Sequence, residues 1–193
     1  MKLMIDLFSG LGGASEAFIQ DPNYSVLRYD NNPAFENLQG TTICDLLNYE
    51  IKIRHEIELI WASPPCLEFS NAYHAPKSIA NREGIEYKPN LDLVKRAIEI
   101  VEDLKPKYWV IENVAGASKY FEALLGKPRQ IIGPFLIWGN FPLIHVDRDF
   151  EHLKADNDDR HSEIRSNIRA KIPLAISQGI KEAIENQTSI FEY

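Results

Sequence analysis

Cysteine is scarce in this chain: Cys44 and Cys66 are the only two among 193 residues. Two thiols build neither a disulfide framework nor a four-sulfur metal site, and the usage fits a reducing, intracellular location. Long apolar runs are lacking as well. Without a stretch of about 18 uncharged apolar residues or a signal-like N-terminus, membrane and secretion readings fall away. Positive charge is in deficit, with 21 Lys and Arg against 28 Asp and Glu, a formal net charge of −7 and a sequence pI of about 5.3. An all-over basic surface for nucleic acid is therefore excluded, because that mode relies on neutralising phosphates; a local basic face remains open. Internal repeats and low-complexity segments are missing too. The 45% hydrophobic content and 10% aromatics suffice for one well-packed core, and a single domain over 1–193 is expected.

Lys2 to Leu7 reads as a short apolar strand, Phe8-Ser9-Gly10-Leu11-Gly12-Gly13 as a glycine turn and Ala14 to Ile19 as helical. Strand, glycine turn, helix is the order a nucleotide site needs. Glycine permits positive φ and close backbone approach, and the free N–H groups of a helix start favour anionic groups. A tight turn with no ligand has the same letters. Ser25 to Tyr29 reads as a second strand ending at Asp30, where a carboxylate can accept hydrogen bonds from both ribose hydroxyls of an adenosine-containing cofactor. The alternative is an Asp that starts the Asn31-Asn32-Pro33 turn. Thr41 to Cys44 reads as a third strand, with Cys44 in the core. It leads into Asp45-Leu46, where the Asp45 carboxylate meets an adenine amino group or caps a turn.

Ile57 to Trp61 reads as a strand that leads through Ala62 and Ser63 into Pro64-Pro65-Cys66. Successive prolines fix two φ angles and remove two backbone donors, so neither sheet nor helix continues and Cys66 is presented on a stiff turn. A packed structural thiol is the alternative. Residues 67–90 show no sustained period and read as a mobile loop over the cysteine. Leu91 to Leu104 reads as an amphipathic helix, with Leu93, Val94, Ala97, Ile98, Val101 and Leu104 on one face and Lys105-Pro106-Lys107 ending it. Tyr108 to Ile111 reads as a buried strand that delivers Glu112-Asn113-Val114. In an open parallel sheet ligands bind at the carboxyl ends of the strands, so Asp30, Asp45, Cys66 and Glu112 are expected on one rim.

Three motifs follow one another: Asp6-Leu7-Phe8-Ser9-Gly10-Leu11-Gly12-Gly13, then Ser63-Pro64-Pro65-Cys66 with Phe69-Ser70, then Glu112-Asn113-Val114. Together they resemble the cofactor loop, nucleophile loop and Glu-Asn-Val strand end of the cytosine-C5 DNA methyltransferase family. The resemblance covers residues 3–116. It implies an α/β fold of the Rossmann-like, class I methyltransferase type, a doubly wound and mostly parallel sheet of about seven strands. It implies S-adenosyl-L-methionine as cofactor, held by Asp6, Phe8, Ser9, Gly10, Gly12, Gly13, Asp30, Asn31, Asp45, Leu46 and Pro64. The catalytic set it implies is Cys66, Glu112 and Asn113, joined by Arg129 or Arg165. Cytosine C5 does not attack a methyl sulfonium unaided, so Cys66 would add to C6 while Glu112 supplies a proton to N3. Inside a duplex that face is hidden, and the base would be flipped out. A nicotinamide dinucleotide is the rival cofactor, but Gly-x-Gly-Gly lacks the third spaced glycine and hydride transfer needs no Pro-Pro-Cys turn.

Leu67 stands where the family commonly has glutamine, and residues 126–171 form only a reduced recognition and C-terminal region. The resemblance therefore implies a compact enzyme with reduced or unusual recognition, of the sort small viral genomes encode, working in the cytoplasm (that of a bacterial host if phage-encoded). Its partner is DNA containing cytosine, with a homodimer or a partner protein assisting recognition and no membrane involved. Gln130 to Gly139 reads as one late strand, with Trp138 in the core or stacking on a base. Arg129 stands near the family's base-binding arginine without its Gln-x-Arg-x-Arg pattern. Arg165, within the basic group Arg160, Arg165, Arg169 and Lys171, is the other candidate. Phe150 to Ser162, with His152 and His161, lacks metal spacing and reads as a solvated loop, so no metal is expected. Ile172 to Ile176 opens a final helix running to Glu185 and resembles the family's closing motif, with Ala170 near the place of its usual Asn. A relative that binds cofactor or DNA without turnover, or an enzyme acting on RNA or a free cytosine nucleotide, remains the alternative.

Overall fold

The computed structural model describes residues 1–147 and 164–190, with side chains described as far as residue 187. Arg160, His152, His161 and the rest of Phe150 to Ser162 lie outside the described residues.

Seven strands form one sheet: β1 (Lys2–Leu7), β2 (Tyr24–Asp30), β3 (Thr41–Ile43), β4 (Ile57–Ala62), β5 (Tyr108–Val114), β6 (Gln130–Ile132) and β7 (Phe135–Asn140). Their order is β3-β2-β1-β4-β5-β7-β6. All pairings from β3 across to β5 are parallel, while β7 runs antiparallel to both neighbours. The central strands are buried nearly throughout, β4 at every position, because helices cover both faces. Ile5, Leu7, Ile60 and Ile111 meet α3 (Asp92–Leu104) and α4 (Ser118–Leu125) through Val94, Ala97 and Phe121. Met4, Leu59, Trp61 and Val110 meet α1 (Glu16–Ile19) and α6 (Leu174–Ile190) through Phe18, Ile176, Ile180 and Ile184. The expected doubly wound, mostly parallel sheet is thus present. Chain order reverses at β1, which lies between β2 and β4, and this switch point is where such sheets bind ligands.

Several local readings differ. The helix after the glycine turn is one turn long and starts at Glu16, with Ala14 and Ser15 still in the turn. The span 67–90 holds a second helix, α2 (Pro76–Glu83), with proline in its first turn and Gly84 closing it at φ 68°. Ala80 is its one buried residue, which is why no apolar period shows there. The late strand is a hairpin of β6 and β7, split at Gly133 (φ 54°) and Pro134. Of the alternatives for Trp138 the core reading holds: it is 1% exposed and its Nε1 donates to the Gly126 carbonyl at 2.9 Å. Cys44 lies just past β3, half-buried against the α3 side of the core. The basic segment before α6 forms a further short helix, α5 (Arg165–Ala170). Among the described residues no helix is long and apolar enough to cross a membrane.

Candidate active site

The glycine turn is shaped from beneath by charge. Asp6, 1% exposed, accepts from Ser15 Oγ at 2.6 Å, and Ser15 Oγ accepts in turn from Arg28 Nε at 2.8 Å. Arg28 sits opposite Asp6 in the β1–β2 register and also donates to the carbonyls of Gly12 (3.3 Å) and Gln39 (3.2 Å). Burial raises the Asp6 carboxyl to about 7, against the lowering effects of Ser15 and Arg28. A Cβ on Gly12, at φ 72°, would stand 2.6 Å from the Arg28 guanidinium carbon, and one on Gly13 would stand 2.4 Å from the Ile172 carbonyl. Asp6, Gly12 and Gly13 therefore build the turn from below. Above it lie Phe8, held at φ 58° in a region disfavoured for a bulky residue, and Ser9, whose buried Oγ has no partner among the described residues. Gly10 N donates to Asp30 Oδ2 at 2.8 Å, and Asn32 N donates to Asp30 Oδ1 at 2.9 Å, so the β2 tip holds the turn. Asp30 thus starts the Asn31-Asn32-Pro33 turn, and its other oxygen accepts from the glycine loop.

The Cys66 turn leaves the sheet beside this loop. Leu7 pairs with Ala62 and Ala62 with Ile111, so Ser63 and Glu112 follow level strand positions. Asn113, 1% exposed, donates from Nδ2 to the buried Pro64 carbonyl at 2.9 Å and accepts from Val114 N at 2.9 Å. Asn113 and Pro64 are thereby positioning residues that fix the turn. The Cys66 carbonyl accepts from Phe69 N (3.0 Å) and Ser70 N (2.9 Å), and Phe69 packs edge-on against Phe121 at 5.1 Å. Gly116 admits that crossing, since a Cβ there would lie 2.0 Å from the Phe69 carbonyl. Burial pushes the Cys66 thiol above its ordinary range, and the nearby Glu112 charge adds to the rise. Glu112 is 7% exposed and raised to about 7 by burial. Opposing that rise is the Ser63 hydroxyl, which accepts from Trp61 Nε1 at 2.9 Å and keeps its own proton for Glu112.

Glu68 closes the loop that follows. Its Oε2 accepts from Tyr87 Oη at 2.6 Å and from Asn90 N at 3.2 Å, joining the nucleophile turn to the far end of the span. Burial and Glu68 raise the Tyr87 hydroxyl to about 12, so it remains a donor. Glu68→Ala removes both bonds. Each charge-assisted bond contributes about 1.5–3 kcal/mol, so trypsin should cleave the variant at Lys77 or Arg82 about 10²-fold faster or more without lowering the global melting temperature. Cleavage at the wild-type rate would show that Glu68 does not hold the loop.

Other candidates go elsewhere. Arg129 Nε donates to the Phe141 carbonyl at 2.7 Å, with the guanidinium 5.5 Å from the Phe141 ring centre. Asn140 pairs with Trp109 near the start of β5, so the Arg129 side chain is engaged towards the strand end remote from Glu112, while its backbone N donates at 2.8 Å to Ile137, the β7 partner of Glu112. Arg165 begins α5, whose Asn167 amide would lie 3.8 Å from a Cβ on Gly10. Arg165 thus belongs to the segment that covers the glycine loop, and its buried Nε has no partner among the described residues. Leu46, 3% exposed, is core, and its carbonyl accepts from Arg96 at 2.9 Å. Exposed Asp45 accepts from Leu47 N and Asn48 Nδ2, the turn alternative, and Asn31 is exposed. Among the described residues no group of three or more His, Cys, Asp or Glu could hold a metal. Sequence reasoning missed Ser15, Arg28, Ser63, Glu68 and Asn167. Two carried a signal: Ser63 opens the Ser63-Pro64-Pro65-Cys66 motif, and Arg28 continues the alternating buried positions Tyr24 and Val26 along β2.

The sheet order, the antiparallel β7 and the two loops at the switch point define a Rossmann-like fold of the class I methyltransferase type. A sequence model described as C-5 cytosine-specific DNA methylase matches residues 3–123, and the chain belongs to that family. It is similar to a Frog virus 3 (isolate Goorha) protein described as "Probable DNA (cytosine-5)-methyltransferase", 32% identical over 57% of this chain and 52% of that protein. It is also 32% identical to Type II methyltransferase M1.HphI of Haemophilus parahaemolyticus, over 66% of this chain and 36% of the relative. The chain spans about half or less of the length of these curated relatives. Among solved structures, Entamoeba histolytica methyltransferase EhMeth aligns with a TM-score of 0.45 and 16% identity, over 76% of this chain and 56% of that one.

Proposed function

We propose that this chain methylates C5 of cytosine in DNA through a covalent bond between Cys66 and C6 of a flipped base. The observation that carries the reading is the meeting of Cys66 and Glu112, from adjacent strands, beside a glycine loop at the switch point. Ser9, Gly10 and Phe8 above the loop, with Asp30 at its side, would hold S-adenosyl-L-methionine, and Asn167 would cover it. The orphaned Ser9 hydroxyl and the Asp30 carboxylate suit a ligand rich in hydroxyls and positive charge. A dinucleotide's pyrophosphate needs a helix N-terminus, and here the helix after the glycine turn is a single turn with Glu16 at its start, which supports the cationic cofactor over the nicotinamide rival.

Cys66 acts as thiolate, forming the Sγ–C6 bond while the displaced electron pair moves to N3 and takes the Glu112 proton. C5 is then electron-rich, and S-adenosyl-L-methionine, when bound, would supply it a methyl group carried on a cationic sulfur. Release of the C5 proton to water expels Cys66 as thiolate, N3 returns its proton to Glu112, and the ring is restored. Loop 67–90, tied by Glu68, closes behind the flipped base. A second copy or a partner protein assists target recognition, and the reaction takes place in the cytoplasm. Incubation with methyl-labelled S-adenosyl-L-methionine and, separately, duplex DNA, RNA and dCMP tests the reading. Label recovered as 5-methylcytosine from DNA is expected; label in RNA or dCMP alone would overturn the DNA assignment.

A further inference from the structure

Between α2, the chain after it and α4 lies a cleft of about 580 Å³, lined by Lys77, Lys88, Lys119, Glu86, Tyr87 and Tyr120 among others. We infer that this cleft seats backbone phosphates of the substrate DNA strand beside the flipped nucleotide, an inference that rests on the DNA reading above. Three ammonium groups face a single lining carboxylate in a chain whose formal charge is −7, so the cleft is a local reversal of the overall sign. Glu86 reaches only Lys88, at 3.8 Å, and both are more than four-fifths exposed, so that pair gives way readily to a phosphate. Lys77 is fixed, donating to Asn71 Oδ1 at 3.0 Å and to the Gly116 carbonyl at 3.3 Å. Lys119 Nζ rests 4.6 Å from the Tyr120 ring centre, which holds its charge at the cleft wall.

Position links the cleft to the chemistry. Tyr87 is bonded to Glu68, two residues past Cys66, and Gly116 lies four residues past Glu112. A strand whose cytosine reaches Cys66 would therefore pass its neighbouring phosphates along these lysines. The phosphate charge is the recognised feature, so binding would be indifferent to base sequence.

The test uses the full chain and a fluorescein-labelled duplex, with anisotropy measured from 50 to 200 mM salt. Lys88→Gln with Lys119→Gln removes two exposed charges. It should weaken DNA binding about tenfold at low salt and flatten the log Kd against log salt slope by about 1.8, near 0.9 per lost phosphate contact. Binding of S-adenosyl-L-methionine by calorimetry should not change. Lys52→Gln with Lys105→Gln, in the segments that lead into β4 and β5, should keep the wild-type slope. A double variant at Lys88 and Lys119 with wild-type affinity and slope overturns the cleft, as does an equal slope change in the control pair. Methyl transfer to DNA that persists with an unaffected cleft variant leaves the proposed function standing without the cleft. Cleft-dependent DNA binding without transfer leaves the cleft standing without that function, and wild-type protein that binds no DNA overturns both.

Discussion

Cys66→Ser is expected to lower methyl transfer to DNA by at least about 10³-fold while leaving fold and cofactor binding intact. A hydroxyl fits the space of a half-buried thiol, so the loss would be chemical. No strong base stands ready to activate a serine: the neighbouring carboxyl is Glu112, raised to about 7 and needed as an acid. The thiol itself is pushed up by burial and by Glu112, so the thiolate that the proposed reaction uses is a minor form at neutral pH, its proton given up to solvent. An oligonucleotide carrying 5-fluorocytosine should trap the wild-type chain covalently, because fluorine at C5 cannot leave as a proton does, and should not trap Cys66→Ser. Methyl transfer by the serine variant at the wild-type rate, measured with labelled cofactor and matched circular dichroism, would remove the covalent mechanism.

The parts of this site that were legible in the sequence are those where backbone order alone fixes position. β1, β2, β4 and β5 are short apolar runs, each followed by residues that cannot extend them, and parallel order then places Asp30, Cys66 and Glu112 on one rim. Long-range polar contacts left no such trace. Asn113 reads as part of a motif, yet its work is a bond to Pro64, 49 positions earlier. Ser15 and Arg28 stabilise the glycine turn only once β2 lies beside β1. Arg129 depends on a turn as well: Gly133 and Pro134 make β6 and β7 a hairpin, and within it the guanidinium reaches the Phe141 carbonyl. The same fold places Asn167 over Gly10, three positions before Ala170, a shift that spacing in a short helical segment does not reveal.

Glu112→Gln should cost about 10² to 10⁴-fold in methyl transfer and at the same time stabilise the protein at alkaline pH. In the wild type the active form pairs a protonated Glu112 with an ionised Cys66, so kcat/KM for DNA should rise with pH to about 7 and level off above it, the gain in thiolate offsetting the loss of acid. The variant, which needs only the thiolate, should keep rising past pH 7. Its Cys66, freed from the Glu112 charge, should also react faster with iodoacetamide at pH 8. Stability moves the other way. A carboxyl raised from 4.5 to about 7 stays protonated in the folded chain over a range where the unfolded chain has already ionised. The folded state then binds more protons, so stability falls as pH rises from 4.5 to 7 and stays low above it. For Glu112 the loss is on the order of 3 kcal/mol, at about 1.36 kcal/mol per unit. Asp6, raised from 3.8 to about 7, contributes with the same sign but is common to both proteins. Glutamine keeps an acceptor for Ser63 and cannot ionise, so the two melting temperatures should nearly agree at pH 5 and diverge towards pH 8, with the variant higher. A variant that melts lower than the wild type at pH 8 would mean that the Glu112 carboxylate is solvated or paired there. Such a group would hold no proton at neutral pH to give to N3, so one melting curve bears on both the burial of Glu112 and its role as the acid.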